Sequence, residues 1–119
     1  MKKENILHQK SYSFAIRIVR LSQFLNNEKR EFILSKQVLR SGTSIGALVK
    51  ESQYAQSHAD FINKLTIALK EANETQYWIC LLYDTNYLTK EMYQSLNNDI
   101  DELLSLLISI TKTLKNRSI

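Results

Sequence analysis

A chain of 119 residues with two glycines, no proline and one cysteine has the length of one domain and too few turn formers for a β-sandwich or a doubly wound α/β fold. It is 44% hydrophobic and 24% charged with a formal net charge of +4, which excludes a disordered chain and allows a core without metals or disulfides. The lone Cys80 has no partner for an internal disulfide, and the longest apolar run, Tyr77 to Tyr83, covers seven residues, far below the roughly 18 that span a bilayer.

The first predicted helix, near 4–25, carries Leu7, Ser11, Phe14, Ile18, Leu21 and Leu25 at alternating gaps of four and three. That spacing puts all six on one helix face. The opening Met1-Lys2-Lys3 resembles a signal peptide, but Glu4, Asn5, His8, Gln9 and Lys10 interrupt any hydrophobic segment, so the chain is expected to be soluble and cytoplasmic. A second helix near 30–56 repeats the pattern at Leu34, Val38, Ser41, Ile45, Leu48, Ser52 and Ala55, and a third near 59–84 at Phe61, Leu65, Ala68, Ala72, Thr75, Ile79 and Leu82. The fourth, near 89–116, has Leu96, Ile100, Leu103, Leu107, Ile110 and Leu114, with Thr89 placed to cap it. Four helices of roughly 33–40 Å joined by short polar breaks predict a single all-α domain over residues 1–119, an antiparallel up-down-up-down four-helix bundle.

Charge is uneven along the chain. Residues 1–70 hold twelve Lys and Arg against five Asp and Glu, a net +7, while residues 71–119 hold four against seven, a net −3. Lys2, Lys3, Lys10, Arg17 and Arg20 fall on one arc of the first helix, and Lys29, Arg30, Lys36 and Arg40 carry the charge into the second. Such a stripe is either a solvated face or a phosphate track, since clustered cations displace condensed counterions from nucleic acid. Ile6, Ile16 and Phe24 lie on the same exposed side and fit an interface between copies of the bundle.

In helix 2, Gly42 and Gly46 stand four apart on one face. No phosphate-cradling signature surrounds them, so they predict close packing, with Trp78 a candidate neighbour. Arg40, Ser44 and Glu51 flank the core face of helix 2, and Lys64, Glu71 and Glu74 flank that of helix 3. Opposite charges bordering one core predict a hydrogen-bonded network across the pair. A hydrolase built on Glu51, Glu71 or Glu74 would need a pocket and a proton-transfer partner that the sequence does not supply. No Glu precedes a His by three residues, and Glu4 with His8 makes only two ligands, so neither metal nor cofactor is expected. Cys80 is expected to be a buried structural thiol, and Tyr77, Trp78 and Tyr83 to serve core or oligomer contacts.

The segments Arg40-Ser41-Gly42-Thr43-Ser44-Ile45-Gly46-Ala47 with Glu51, and Asp60-Phe61-Ile62-Asn63-Lys64-Leu65 running into Lys70-Glu71-Ala72-Asn73-Glu74-Thr75 and Tyr77-Trp78, resemble the bacterial four-helix-bundle proteins of the 23S ribosomal RNA intervening-sequence type, also labelled S23 ribosomal protein. The resemblance covers nearly the whole chain. Leu48 and Ser52 depart from it, standing where the family often has Asn and Gly. It implies a bundle that assembles into a ring, commonly a homopentamer, related to the accessory proteins of diversity-generating retroelements, which bind nucleic acid and a reverse transcriptase. It implies no settled activity. Arg40, Ser44, Glu51, Lys64, Glu71 and Glu74 match the family pattern and are expected to form a structural network.

These readings predict a non-enzymatic oligomeric bundle that binds structured RNA or other nucleic acid through Lys3, Lys10, Arg17, Arg20, Lys29, Arg30 and Lys36, with no membrane partner. The alternative is a protein-interaction scaffold for a partner enzyme, in which the charge serves solubility alone.

Overall fold

A computed structural model describes residues 2–117, with side chains from Lys3 onward; Met1, Lys2's side chain and the last two positions of the predicted domain lie outside the described residues. Four helices follow one another, α1 (Lys2–Asn27), α2 (Leu34–Ser52), α3 (His58–Asp84) and α4 (Lys90–Arg117), and no strand occurs among the described residues. Each helix packs on its sequence neighbour, α4 closes back on α1, and the two diagonal pairs do not approach each other. Cross-helix pairs such as Lys10 with Glu102 and Arg17 with Asp99 run in opposite chain directions, as do Arg40 with Glu74 and Lys64 with Glu51. The result is the predicted antiparallel four-helix bundle, 48 × 22 × 19 Å.

The alternating spacing accounts for the core. Leu7, Phe14, Ile18, Leu25, Val38, Ile45, Leu65, Ile79, Leu82, Ile100, Leu103 and Leu107 are each under 2% exposed. Small polar residues on the same faces are also buried and satisfied locally: Ser52 donates to the Val49 carbonyl at 2.6 Å, and Thr75 donates to the Glu71 carbonyl at 2.7 Å while lying 2.9 Å from Ser41 Oγ. This keeps hydroxyls in an apolar interior at little cost.

Helix 2 is shorter than predicted at both ends. Its start is delayed from 30 to 34 because Arg30 adopts a left-handed φ of 53° and Glu31 turns inward. The buried Glu31 carboxylate accepts from the backbone N–H groups of Ile33 (3.2 Å), Leu34 (2.9 Å) and Ser35 (2.8 Å). It thus satisfies the open donors of α2 from outside the helix. The C-terminal end tightens into successive i to i−3 bonds at Gln53, Tyr54 and Ala55. Ser57 then caps α3 by accepting from Asp60 N–H at 3.1 Å, while Asp60 accepts from Gln56 N–H at 3.1 Å. Asn86, with φ 71°, ends α3: its N–H reaches the Tyr83 carbonyl and the N–H of Tyr87 reaches that of Leu82, a Schellman arrangement. Thr89 caps α4 as expected, accepting from Met92 N–H at 3.2 Å.

The glycines mark a close approach, but its partner is α1 and not Trp78. A Cβ on Gly42 would meet Ile18 Cγ1 and Cγ2 at 2.8 Å, and one on Gly46 would meet the Ser11 carbonyl oxygen at 3.2 Å. Trp78 instead points along its own helix and donates from Nε1 to Glu74 at 3.0 Å.

Candidate functional site

Two of the four interhelical seams carry the predicted polar residues, and they are built differently. Across α2 and α3, the guanidinium of Arg40 donates to Glu71 Oε1 at 2.9 Å and also to Glu74. Ser44 donates to Glu71 Oε1 at 2.9 Å. The Arg40 guanidinium is held above its ordinary value by Glu74 first and then Glu71. Hydrogen bonds from Trp78 and then Arg40 hold the Glu74 carboxyl below its own. The structure therefore joins Arg40, Ser44, Glu71 and Glu74 in one network and adds Trp78, which the sequence reading assigned elsewhere. Glu51 and Lys64 form a separate pair at 3.4 Å, one end of the same seam. A guanidinium shared by two carboxylates makes charge-assisted hydrogen bonds to both, an arrangement suited to clasping two helices.

The basic stripe of α1 has a different setting. Lys10 pairs with Glu102 at 3.1 Å, Arg17 with Asp99 at 2.7 Å, and Lys3 donates to Ser109 Oγ at 2.7 Å. Arg17 also donates to the Ser95 carbonyl at 3.2 Å. Three of the seven predicted phosphate contacts are thus engaged by α4, and two of those have their charge balanced there. The sequence located the stripe correctly on α1 but could not show that Asp99 and Glu102 face it. Arg20, Lys29, Arg30 and Lys36 are exposed and form no ion pair among the described residues. Arg20 lies about 10 Å along the axis from the end of α1, so all four sit toward the end of the bundle that carries the α1–α2 and α3–α4 turns.

Between α1 and α4 at that end lies a groove of about 290 Å³, lined by Arg17, Arg20, Leu21, Phe24, Met92 and Leu96. Phe24, expected on an exposed apolar patch, is half-buried and packs against the core; Lys29 Nζ sits 5.9 Å from its ring centroid. Ile6 and Ile16 are exposed as expected, and the exposed apolar stripe of α1 also takes in Tyr12 and Val19 on either side of Ile16. The spacing of four and three from Tyr12 to Val19 was available as a second helix face beside the first. Next to that stripe a groove of about 440 Å³ runs between α1 and α2, floored by Ala15, Thr43, Gly46 and Ala47.

The remaining candidates are structural in their surroundings. Cys80 is half-buried with Sγ 3.7 Å from the Tyr93 hydroxyl, which raises the phenol from its ordinary value. Tyr83 stacks on Tyr93 at 4.4 Å, whereas Tyr77 is exposed and meets Trp78 edge-on at 4.9 Å. Among the described residues no helix is long and apolar enough to cross a membrane, and no group of three or more His, Cys, Asp or Glu could hold a metal ion.

Fold and surface together define a small all-α protein, an antiparallel four-helix bundle with an ionic clasp on one seam and the exposed cations Arg20, Lys29, Arg30 and Lys36 toward the end that carries the α1–α2 turn. The sequence matches the profile of the 23S rRNA-intervening sequence protein family over residues 3–109, and the chain belongs to that family. It is 62% identical to a protein of unknown function from the S23 ribosomal protein family of Bacteroides thetaiotaomicron VPI-5482, known from its crystal structure. That alignment covers 92% of this chain and 98% of the other, with a TM-score of 0.91. No curated protein matches the chain.

Proposed function

We propose that this chain is a non-enzymatic, self-associating bundle that binds structured RNA or other nucleic acid through Arg20, Lys29, Arg30 and Lys36. The observation that carries this reading is the contrast among the seven predicted cations: Lys10 and Arg17 are balanced by α4 carboxylates, while these four are exposed and unbalanced at one end. Phosphate contacts of this kind position a backbone without reading bases, so the expected selectivity is for shape. The family description names an intervening sequence of 23S rRNA, which makes an RNA hairpin the first ligand to try. Titrating a labelled hairpin at low and physiological salt tests the reading. Changing Arg20, Lys29 and Lys36 to Gln should weaken binding to every probe and flatten its salt dependence. Unchanged affinity in that variant would remove the assignment.

A second reading, a scaffold that presents a surface to a partner enzyme without contacting nucleic acid, is favoured by the exposed stripe of Tyr12, Ile16 and Val19. A helix with two faces at heptad spacing has one face left for another helix. The same stripe supports assembly of copies into a closed ring such as a homopentamer, because one face docking on a different face of the next copy closes by rotation. Light scattering should then give a mass several times 13.9 kDa, reduced by Val19→Glu; a monomer would refute the ring. Recovery of a protein partner that survives nuclease treatment would favour the scaffold over the RNA reading.

A further inference from the structure

The groove between α1 and α4 combines two features that the charge reading alone does not use. Its floor is apolar, made by Leu21, Phe24, Met92 and Leu96. Its rim carries Arg20, one turn before Phe24 on the same helix face, and Lys29, just outside the groove, approaches the Phe24 ring centroid at 5.9 Å. Arg17 closes the far side, but its charge is already held by Asp99 at 2.7 Å. The groove lies where it does because α1 and α4 form the loosest of the four helix seams. Above that apolar floor the seam is bridged by long polar side chains, Lys10 to Glu102 and Arg17 to Asp99. At about 290 Å³ it stands at the small end of ligand pockets, sized for one ring system and not for a folded segment.

We propose that this groove takes one unpaired base of a bound RNA, stacked on Phe24, with its flanking phosphates on Arg20 and Lys29. The inference rests on the RNA reading above and adds to it a structural preference for unpaired nucleotides. The chemistry follows from the parts. A base offers a π-face to an aromatic ring whatever its identity, and an anionic phosphate on each side of it. In the free protein Lys29 occupies the space above the ring, where the quadrupole of Phe24 holds it only weakly. A base can displace the ammonium from the ring, and the adjoining phosphate then receives it as a better partner. Arg20, on the preceding turn of α1, is within one nucleotide's reach of the same ring. A base held inside a continuous duplex cannot enter, since its faces are covered by its neighbours. An acidic peptide with apolar side chains would satisfy the same rim, but it gains nothing specific from an aromatic floor.

The test compares an RNA hairpin whose loop is unpaired with a blunt duplex of the same stem, at a fixed salt concentration. Phe24→Leu, which keeps the apolar filling and removes the ring, should weaken hairpin binding about tenfold, the scale of one lost stacking contact. It should leave duplex binding within about twofold. Phe24→Tyr should retain hairpin affinity, and matching thermal melts of the three proteins exclude unfolding as the cause. Arg20→Gln with Lys29→Gln should weaken both probes. If Phe24→Leu leaves hairpin affinity unchanged, or lowers both probes equally, the inserted base is refuted while the phosphate reading stands. If the wild-type protein binds neither probe, both fall. Displacement of the hairpin by an alternating Glu-Leu peptide, with Phe24→Leu still binding RNA normally, would reassign the groove to a protein ligand.

Discussion

The α2–α3 and α1–α4 seams use the same ingredients to different ends. On the first, one guanidinium serves two carboxylates, a serine and an indole complete their coordination, and Glu71 is only 19% exposed. On the second, cations and carboxylates meet one to one, each partner between 38% and 50% exposed, with grooves between the pairs. The glycine contacts of α1 on α2 and the clasp of α2 on α3 make three helices a tightly fitted unit. The fourth packs on α3, where Tyr83 stacks on Tyr93, and closes on α1 across a seam whose exposed charge pairs contribute little. Structural commitment is therefore concentrated on α2, and the surface left to act lies where α1 meets α4.

The largest expected effect concerns the turn on which the groove's rim depends. Glu31→Ala leaves three N–H groups at the start of α2 without their acceptor, of which that of Ser35 is buried and those of Ile33 and Leu34 are partly so. It should lower stability by about 2–3 kcal/mol, the sum of a lost cap and the desolvation of unsatisfied donors. Denaturant unfolding measures this. A loss below about 0.5 kcal/mol would mean that water replaces the carboxylate without penalty.

Next in size is the clasp itself. Arg40→Ala strands two carboxylates side by side on α3 and should cost about 1–2 kcal/mol, discounted for the exposure of the arginine. Acid separates its components. The folded-state value of Glu74 lies below its ordinary one, so its contribution is complete above that ordinary value. It is lost as pH falls through the depressed one, because the unfolded chain then binds the proton first. The stability gap between the wild type and Glu74→Gln should be largest at neutral pH and shrink in the acid range. A gap that widens on acidification would reverse the assigned sign.

Helix faces could be read from sequence because burial repeats every three to four residues: the set from Leu96 to Leu114 is buried throughout, as expected. The clasp was foreseen for a related reason. Arg40 and Ser44 flank one core face, Glu71 and Glu74 flank the next, and adjacent helices must bring such flanks together. What escaped depends on rotation and on groups outside the periodic pattern. Glu31 precedes its helix and caps it through a long side chain, so the Ser or Thr box that marks most helix starts is missing. Trp78 was matched to the glycines by size, yet the carboxylate one turn earlier satisfies its indole N–H and keeps it on α3. The charge of Lys10 and Arg17 was visible, whereas its balance by Asp99 and Glu102 follows only from the register of α1 against α4.

That register gives the smallest and most discriminating effect. Replacing Lys10 and Arg17 together by Gln removes two ion pairs whose members are all well exposed. Stability should therefore fall by no more than about 1 kcal/mol, and less at high salt. The same double variant should leave RNA affinity within about twofold, since these cations are already paired and displace few counterions from a new phosphate. Removal of Arg20, Lys29 and Lys36 should reverse this pattern, with stability nearly unchanged and RNA affinity lost. Equal RNA losses in the two variants would show that α4 releases its partners when nucleic acid binds, and the interface would then extend along the whole length of α1.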